Sequence, residues 1–261
     1  MTKTICISNQ KGGAGKTTVT HNVGCALAIE HRRRVLFVDV DGQANLTTAL
    51  GFNPDEIEIG ALDVLTKKDF LTQKAIHKTG IERVELIPSR QEVFTADIEL
   101  LKRPGGNFVL SDALDQVRDN YDYIFIDTPP TLGAVTLNAL IAVNGVVLVY
   151  DASDFSLDGL SQILNTLDDI RGNKRLNVNG VQVVGAIMNR HRISNKTVNN
   201  ATTAALDGVT DIPRYFTSIS DSTEIAKAQF EQLPIILYNP RHKITDQFKT
   251  FAAELEQWRN D

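Results

Sequence analysis

Short apolar runs recur along the chain at residues 4–8, 35–38, 84–87, 123–126, 146–150 and 181–188, with a shorter one at 210–213. Continuous runs of this length suit strands buried on both faces of a parallel sheet. Between them, residues 17–29, 61–65, 91–101, 107–117, 131–143 and 157–170 place apolar side chains at helical spacing. The alternation predicts right-handed crossovers and an α/β fold: a doubly wound, mostly parallel sheet flanked by helices, with its ligand site at the carboxyl ends of the strands. The uncharged stretch 132–150 is long enough to raise a membrane span. Its Gly133, Asn138, Asn144 and Gly145 and its change of period read instead as helix, turn and buried strand.

No repeat, low-complexity tract or Pro/Ser linker divides the 261 residues, so residues 1–261 are read as one domain. Residues 102–107 form the clearest loop, and 190–200 read as a polar, basic surface excursion. The N-terminus lacks the apolar core of a signal peptide, and two separated cysteines, Cys6 and Cys25, fit buried thiols of a reduced cytoplasmic protein. The balance of 27 Lys+Arg against 32 Asp+Glu, net −5, excludes a tail-driven nucleic-acid binder but leaves room for a local basic face.

The chemistry starts where the first strand ends, in NQKGGAGKTT, residues 9–18. Glycines let successive N–H groups turn toward phosphate oxygens, and the helix that follows presents its positive end. Gly12, Gly13, Ala14 and Gly15 would cradle phosphates, with Thr18 beside them; Lys16 would reach the β- and γ-phosphates and Thr17 would ligate Mg²⁺. Gln10 stands where a strict GxxxxGK[ST] has glycine, and a second lysine, Lys11, opens the loop. The second run ends in Asp39 and Asp41, carboxylates placed to orient an attacking water or a metal-bound water; Asp39 reads as a positioning group or a plain strand-end cap. The run at 123–126 closes on Asp127, suited to accept from Mg²⁺-bound water, before Pro129-Pro130.

Together these segments resemble the deviant Walker A ATPases of the ParA/Soj/MinD group, and segments 84–89, 136–140, 158–162, 211–214 and 233–240 carry the resemblance to the short Soj/ParA type. What the resemblance implies is an ATP- and Mg²⁺-dependent ATPase of weak basal turnover. Lys11 would cross a dimer interface to the partner's nucleotide, Asp41 would serve hydrolysis, and Asn189 and Pro213 would hold the base. It also implies an ATP-state homodimer on non-specific double-stranded DNA, a ParB-like adaptor that stimulates hydrolysis, and nucleoid association. An N-terminal helix-turn-helix extension is not expected, since the loop begins about ten residues in. Gly42 replaces the group's usual proline, which would loosen this switch segment. Iron–sulfur reductase chemistry is not expected, because Cys6 and Cys25 lie outside the switch regions.

Two surfaces remain to be weighed. Residues 244–258 put Ile244, Phe248, Phe251, Leu255 and Trp258 on one helical face, but the acidic opposite face argues for docking on the body rather than on anionic lipid, so no membrane partner is expected. Residues 186–243 carry seven basic residues, Arg190, Arg192, Lys196, Arg214, Lys227, Arg241 and Lys243, against five acids. That asymmetry reads as a phosphate-contacting patch or as scattered solvated charge, and the resemblance favours DNA. Arg32-Arg33-Arg34 reads as cations at a helix C-terminus. The rival functions are a cargo-positioning or membrane-associated division ATPase and, from another class, a metabolic P-loop ligase or kinase.

Overall fold

The computed structural model describes residues 1–151, 157–191, 196–208 and 211–260. Seven strands, β1 (Lys3–Ser8), β2 (Val35–Asp39), β3 (His77–Lys78), β4 (Val84–Ile87), β5 (Tyr123–Asp127), β6 (Gly145–Asp151) and β7 (Gln182–Asn189), form one sheet in the order β3-β4-β2-β5-β1-β6-β7. Every pairing is parallel except β3 with β4. The helices are α1 (Lys16–Glu30), α2 (Asn45–Ala49), α3 (Ala61–Thr66), α4 (Ala96–Lys102), α5 (Val109–Asp115), α6 (Ala134–Ala142), α7 (Leu157–Gly172), α8 (Lys196–Asp207), α9 (Thr223–Phe230), α10 (Ile235–Tyr238) and α11 (Lys243–Asn260).

Successive strand residues serve opposite faces. Cys6, Leu36 and Ile124 join the core under α3 to α7, whereas Ile5, Phe37 and Phe125 join the core under α1 and α11. Both faces are covered, which is why the strands read as unbroken apolar runs. Chain order reverses at β1, whose neighbours are β5 and β6, so the crevice at its carboxyl end is the expected ligand position.

The uncharged stretch resolves as α6, the Asn144 corner and β6. Asn144 ties that corner to β1, its Oδ1 accepting from the Thr4 N–H at 3.0 Å. No helix among the described residues is long and apolar enough to cross a membrane. The apolar face of α11 is buried against α1 and the sheet, with Phe248 and Phe251 fully enclosed, as the docking reading expects. The arginine run serves a different purpose from the one its sequence suggests. No basic residue lies in the last turn of α1; Arg33 forks onto Glu256 of α11, and Arg34 pairs with Asp122 at 3.3 Å. Long side chains found carboxylates across the fold, a stronger contact than an exposed helix end offers.

Three local readings need correction. No strand forms over Asp211–Pro213, and Thr210 lies outside the described residues; the pairing beyond β7 consists of two isolated parallel bridges, Tyr215 with Ala186 and Ser220 with His191. Residues 190–200 are more than a surface excursion, since α8 begins at Lys196; Arg192 lies outside the described residues, as does the side chain of Lys196. The helix read over 91–101 opens as a 3-10 turn, Gln91–Thr95, before α4.

Both cysteines are buried and free, and burial pushes the Cys6 thiol up to about 12, so it is inert at neutral pH. His21 of α1 is buried beside Phe37, its Nε2 without a hydrogen-bond partner, and desolvation pushes its pKa down to about 4. An unfolded histidine takes a proton near pH 6.5, so between pH 6.5 and 4 protonation favours the unfolded chain. The neutral ring's full contribution is present above that window and is lost as pH falls through it, at a cost of about 3 kcal/mol. Urea unfolding across this range should therefore show a steep acid loss that His21→Leu reduces by about that amount.

Candidate functional site

Residues 9–15 leave β1 and turn into α1 over the carboxyl end of the sheet. Asn9 pins the start of the loop: its Nδ2 donates to the Val149 carbonyl at 2.7 Å and its Oδ1 accepts from the Lys11 N–H at 2.8 Å. Gly13 and Gly15 adopt φ of 77° and 92°, conformations that any side chain would strain. Gly15 occupies the N-cap of α1 without a side-chain cap, and no acidic residue stands in the first turn. The first intrahelical bond closes from Val19 N–H to the Gly15 carbonyl, leaving the N–H groups before it for an anion.

Lys16 lies almost fully buried in this turn, its Nζ donating to the Lys11 carbonyl at 3.4 Å. Desolvation lowers its pKa, opposed by the charges of Asp127 and Asp41. Thr17 Oγ1 donates to Asp127 Oδ2 at 2.6 Å, while Asp127 Oδ1 is buried with no partner. A hydroxyl beside a buried carboxylate oxygen that lacks a donor is a donor set that Mg²⁺ and its waters fit. Register brings a second carboxylate alongside, since Asp39 and Asp127 are paired residues of β2 and β5. Burial raises both carboxyl pKa values, the Asp39 charge adds to this at Asp127 and the Asp41 charge at Asp39, and hydrogen bonds from Thr47 partly offset it at Asp39.

Asp41 lines the same cleft, of about 510 Å³, together with Lys16, Thr17, Gln43, Asn45 and Pro130. Its Oδ1 accepts the Gln43 N–H at 2.9 Å, and its own N–H donates to Asp39 Oδ1 at 3.1 Å. Asp39 thus holds the switch backbone rather than merely ending a strand. Gly42 keeps its backbone out of the left-handed region, and a Cβ placed there would lie 2.7 Å from the exposed Phe94 ring, which would have to shift.

The two residues expected on the base side, Asn189 and Pro213, lie in different places. Asn189 is buried with its Nδ2 donating to the Ala14 carbonyl at 2.9 Å, and a Cβ on Gly15 would collide with the same carboxamide. Its amide therefore braces the phosphate loop with one of its two N–H groups, and the residue also lines the adjoining cleft. Pro213 is exposed and not at the cleft. The bridges at Ala186–Tyr215 and His191–Ser220 set it level with Val184, about 16 Å back along the strand from Asn189. The segment Ser220–Thr223 lines an adjoining cleft of about 280 Å³ with Gly15, Thr18, Asn189 and Gln229. Gln229 of α9 donates to Thr18 Oγ1 at 2.9 Å. Nothing in the sequence flags this residue, because its partner lies more than two hundred positions away.

The described basic residues have different surroundings. Arg190 lines both clefts, with φ 52° and a guanidinium nitrogen 3.6 Å from Asp151. Lys227 is tied to Glu224 at 2.7 Å, Arg241 and Lys243 are exposed, and the Arg214 carbonyl accepts the Ala186 N–H.

Residues 2–179 match the AAA domain family. The sporulation initiation inhibitor protein Soj of Bacillus subtilis is 34% identical over 98% of this chain and 98% of its own. The chromosome partitioning protein ParA of Myxococcus xanthus is 33% identical over 96% of this chain and 87% of its own. Among solved structures, cobyrinic acid a,c-diamide synthase of Mycobacterium smegmatis with bound ADP and magnesium superposes with a TM-score of 0.84 at 27% identity, over 99% of this chain and 96% of that one. Since the similarity to Soj and ParA runs nearly end to end and takes in both the phosphate loop and the strand-end carboxylates, the chain belongs to the ParA/Soj family of P-loop ATPases, which work with ATP and Mg²⁺.

Proposed function

We propose that this chain, acting over residues 1–261 as one ATPase domain, is a partition ATPase whose ATP-bound form is a sandwich dimer that associates with DNA in the cytoplasm. The observation that carries the reading is the pairing of the uncapped α1 N-terminus with the Thr17–Asp127 couple under Lys16. In this reading the backbone N–H groups of Gly12 to Thr18 orient the triphosphate, and the Lys16 ammonium compensates charge on the transferring phosphoryl group. Thr17 would hold Mg²⁺ directly and Asp127 through water. Mg²⁺, when bound, neutralises phosphate oxygens. Asp41 would orient the attacking water, and Lys11 would supply a second cation across the dimer. Hydrolysis then dissolves the dimer, and a ParB-like adaptor accelerates it by ordering the two switch segments. DNA would be held through phosphates by Arg214, Arg241 and Lys243, which supports nucleoid association without sequence readout.

The test is binding to random-sequence duplex DNA with Mg²⁺ and ATP, ADP or no nucleotide, at two salt concentrations, with dimerisation followed by sedimentation. Salt-sensitive binding with ATP alone is expected, and Lys11→Ala should keep ATP affinity within about threefold while losing both dimer and DNA. ATP-driven dimers that ignore DNA would point to a cargo-positioning ATPase. Consumption of a small acceptor by a monomer would point to a ligase.

A further inference from the structure

Beneath the switch segment that carries Asp41 runs a buried hydrogen-bonded chain, none of whose members lines the cleft. Asp39, Thr47 and Ser89 are each fully buried. Thr47 donates twice to Asp39 Oδ2, from its N–H at 2.9 Å and its Oγ1 at 2.7 Å, and that hydroxyl accepts the Ser89 N–H at 2.8 Å. Asp39 Oδ1 accepts the Asp41 N–H. One carboxylate therefore holds both ends of the segment from Asp41 to Thr47, and Thr47 fastens it to the chain just after β4.

The arrangement is specific. Helix α2 starts after Ala44, a non-glycine residue at φ 52° that gives no side-chain cap, so Asp39 serves as a remote cap for the third N–H of the helix. Ser89 Oγ is itself buried without a partner. Should the Thr47 hydroxyl be lost, Asp39 Oδ2 keeps one donor and the Ser89 N–H loses the acceptor it has. A hydrogen bond to a buried charged group is among the stronger ones in a protein, and its loss lets the groups it held shift.

We propose that Thr47 is a positioning residue for ATP hydrolysis: acting through Asp39, it fixes the backbone on which the Asp41 carboxylate meets the attacking water. The proposal rests on the role given above to Asp41. It concerns the rate of the chemical step and not nucleotide affinity, because the phosphate loop and the Thr17–Asp127 couple make no hydrogen bond to Thr47.

The test compares Thr47→Val, Thr47→Ser and Asp39→Asn with Asp41→Ala for kcat, KM for ATP, binding of a fluorescent ATP analogue, and Tm. Thr47→Val should lower kcat about tenfold or more with KM within about twofold, and Thr47→Ser should recover kcat to within about threefold. Asp39→Asn keeps the shape but turns an acceptor oxygen into a donor, and it carries the same expectation for kcat if Thr47→Val does not fold; the KM comparison is kept to the Thr47 variants, because the Asp39 charge also acts on Asp127. A lowered Tm with unchanged kcat in a folded variant would overturn the proposal, as would a Thr47→Ser protein as slow as Thr47→Val. If Asp41→Ala hydrolyses ATP normally, the reading of Asp41 fails first; if it is inactive while Thr47→Val and Asp39→Asn are not, only the positioning role fails.

Discussion

Lys16→Ala should bind ATP at least about a hundredfold more weakly, measured by titration with a fluorescent analogue in Mg²⁺. The side chain is almost fully buried, so its ammonium is held in a low-dielectric turn where a charge-assisted contact to phosphate is worth about 3 kcal/mol. Desolvation already lowers its pKa, and the adjacent carboxylates of Asp127 and Asp41 oppose that effect. Removing the ammonium therefore does two things at once: it takes away the cation for the phosphate, and it leaves the acidic residues of the cleft facing an anion without compensation. Lys16→Arg should not rescue binding, because the larger planar group does not fit a buried turn shaped for a narrow stem. Near-normal affinity in Lys16→Ala would place the nucleotide elsewhere.

Asp41→Ala should give the opposite profile: ATP bound about as tightly as in the unaltered chain, a dimer that persists, and hydrolysis lower by about a hundredfold or more. Its carboxylate lines the cleft but makes no hydrogen bond to the phosphate loop, and its Oδ1 is engaged only with the Gln43 N–H. Loss of that group removes the acceptor for the attacking water and spares the phosphate contacts. Single-turnover hydrolysis and sedimentation on the same preparation check both halves. A variant that no longer dimerises with ATP would assign Asp41 to nucleotide binding.

How much of this was legible in the chain follows the range of the interactions. The phosphate loop could be read because its glycines, lysines and threonines are neighbours in sequence, although the braces from Asn189 and Val149 come from distant strands. Asp39 and Asp127 were visible as strand-end carboxylates, but their adjacency is a property of register between β2 and β5. Asn189 was legible as a strand-end amide, but nothing in its sequence neighbourhood says that its carboxamide also reaches the Ala14 carbonyl. Pro213 failed by a shift along β7 that only the bridges beyond that strand reveal. Arg33 and Arg34 look like helix-end cations until Glu256 and Asp122 arrive from distant parts of the chain. The two-residue β3 is too short to leave a periodic signal.

The coat of α1 has a consequence for how the protein is made. This helix is among the first elements synthesised, yet much of its covering comes last: Phe248 and Phe251 of α11 share its core, the Ile235 N–H donates to Asn22 Oδ1 at 2.7 Å, and Gln229 reaches Thr18. Contacts that span most of the chain close slowly, because the loop entropy is spent before they reward it. A nascent chain carries the whole phosphate motif long before it has the residues that clothe it, so the helix that follows the phosphate loop stays partly uncovered until the last helix is made. Loss of α11 would strip the nucleotide site from behind, without touching a single residue that meets the phosphates.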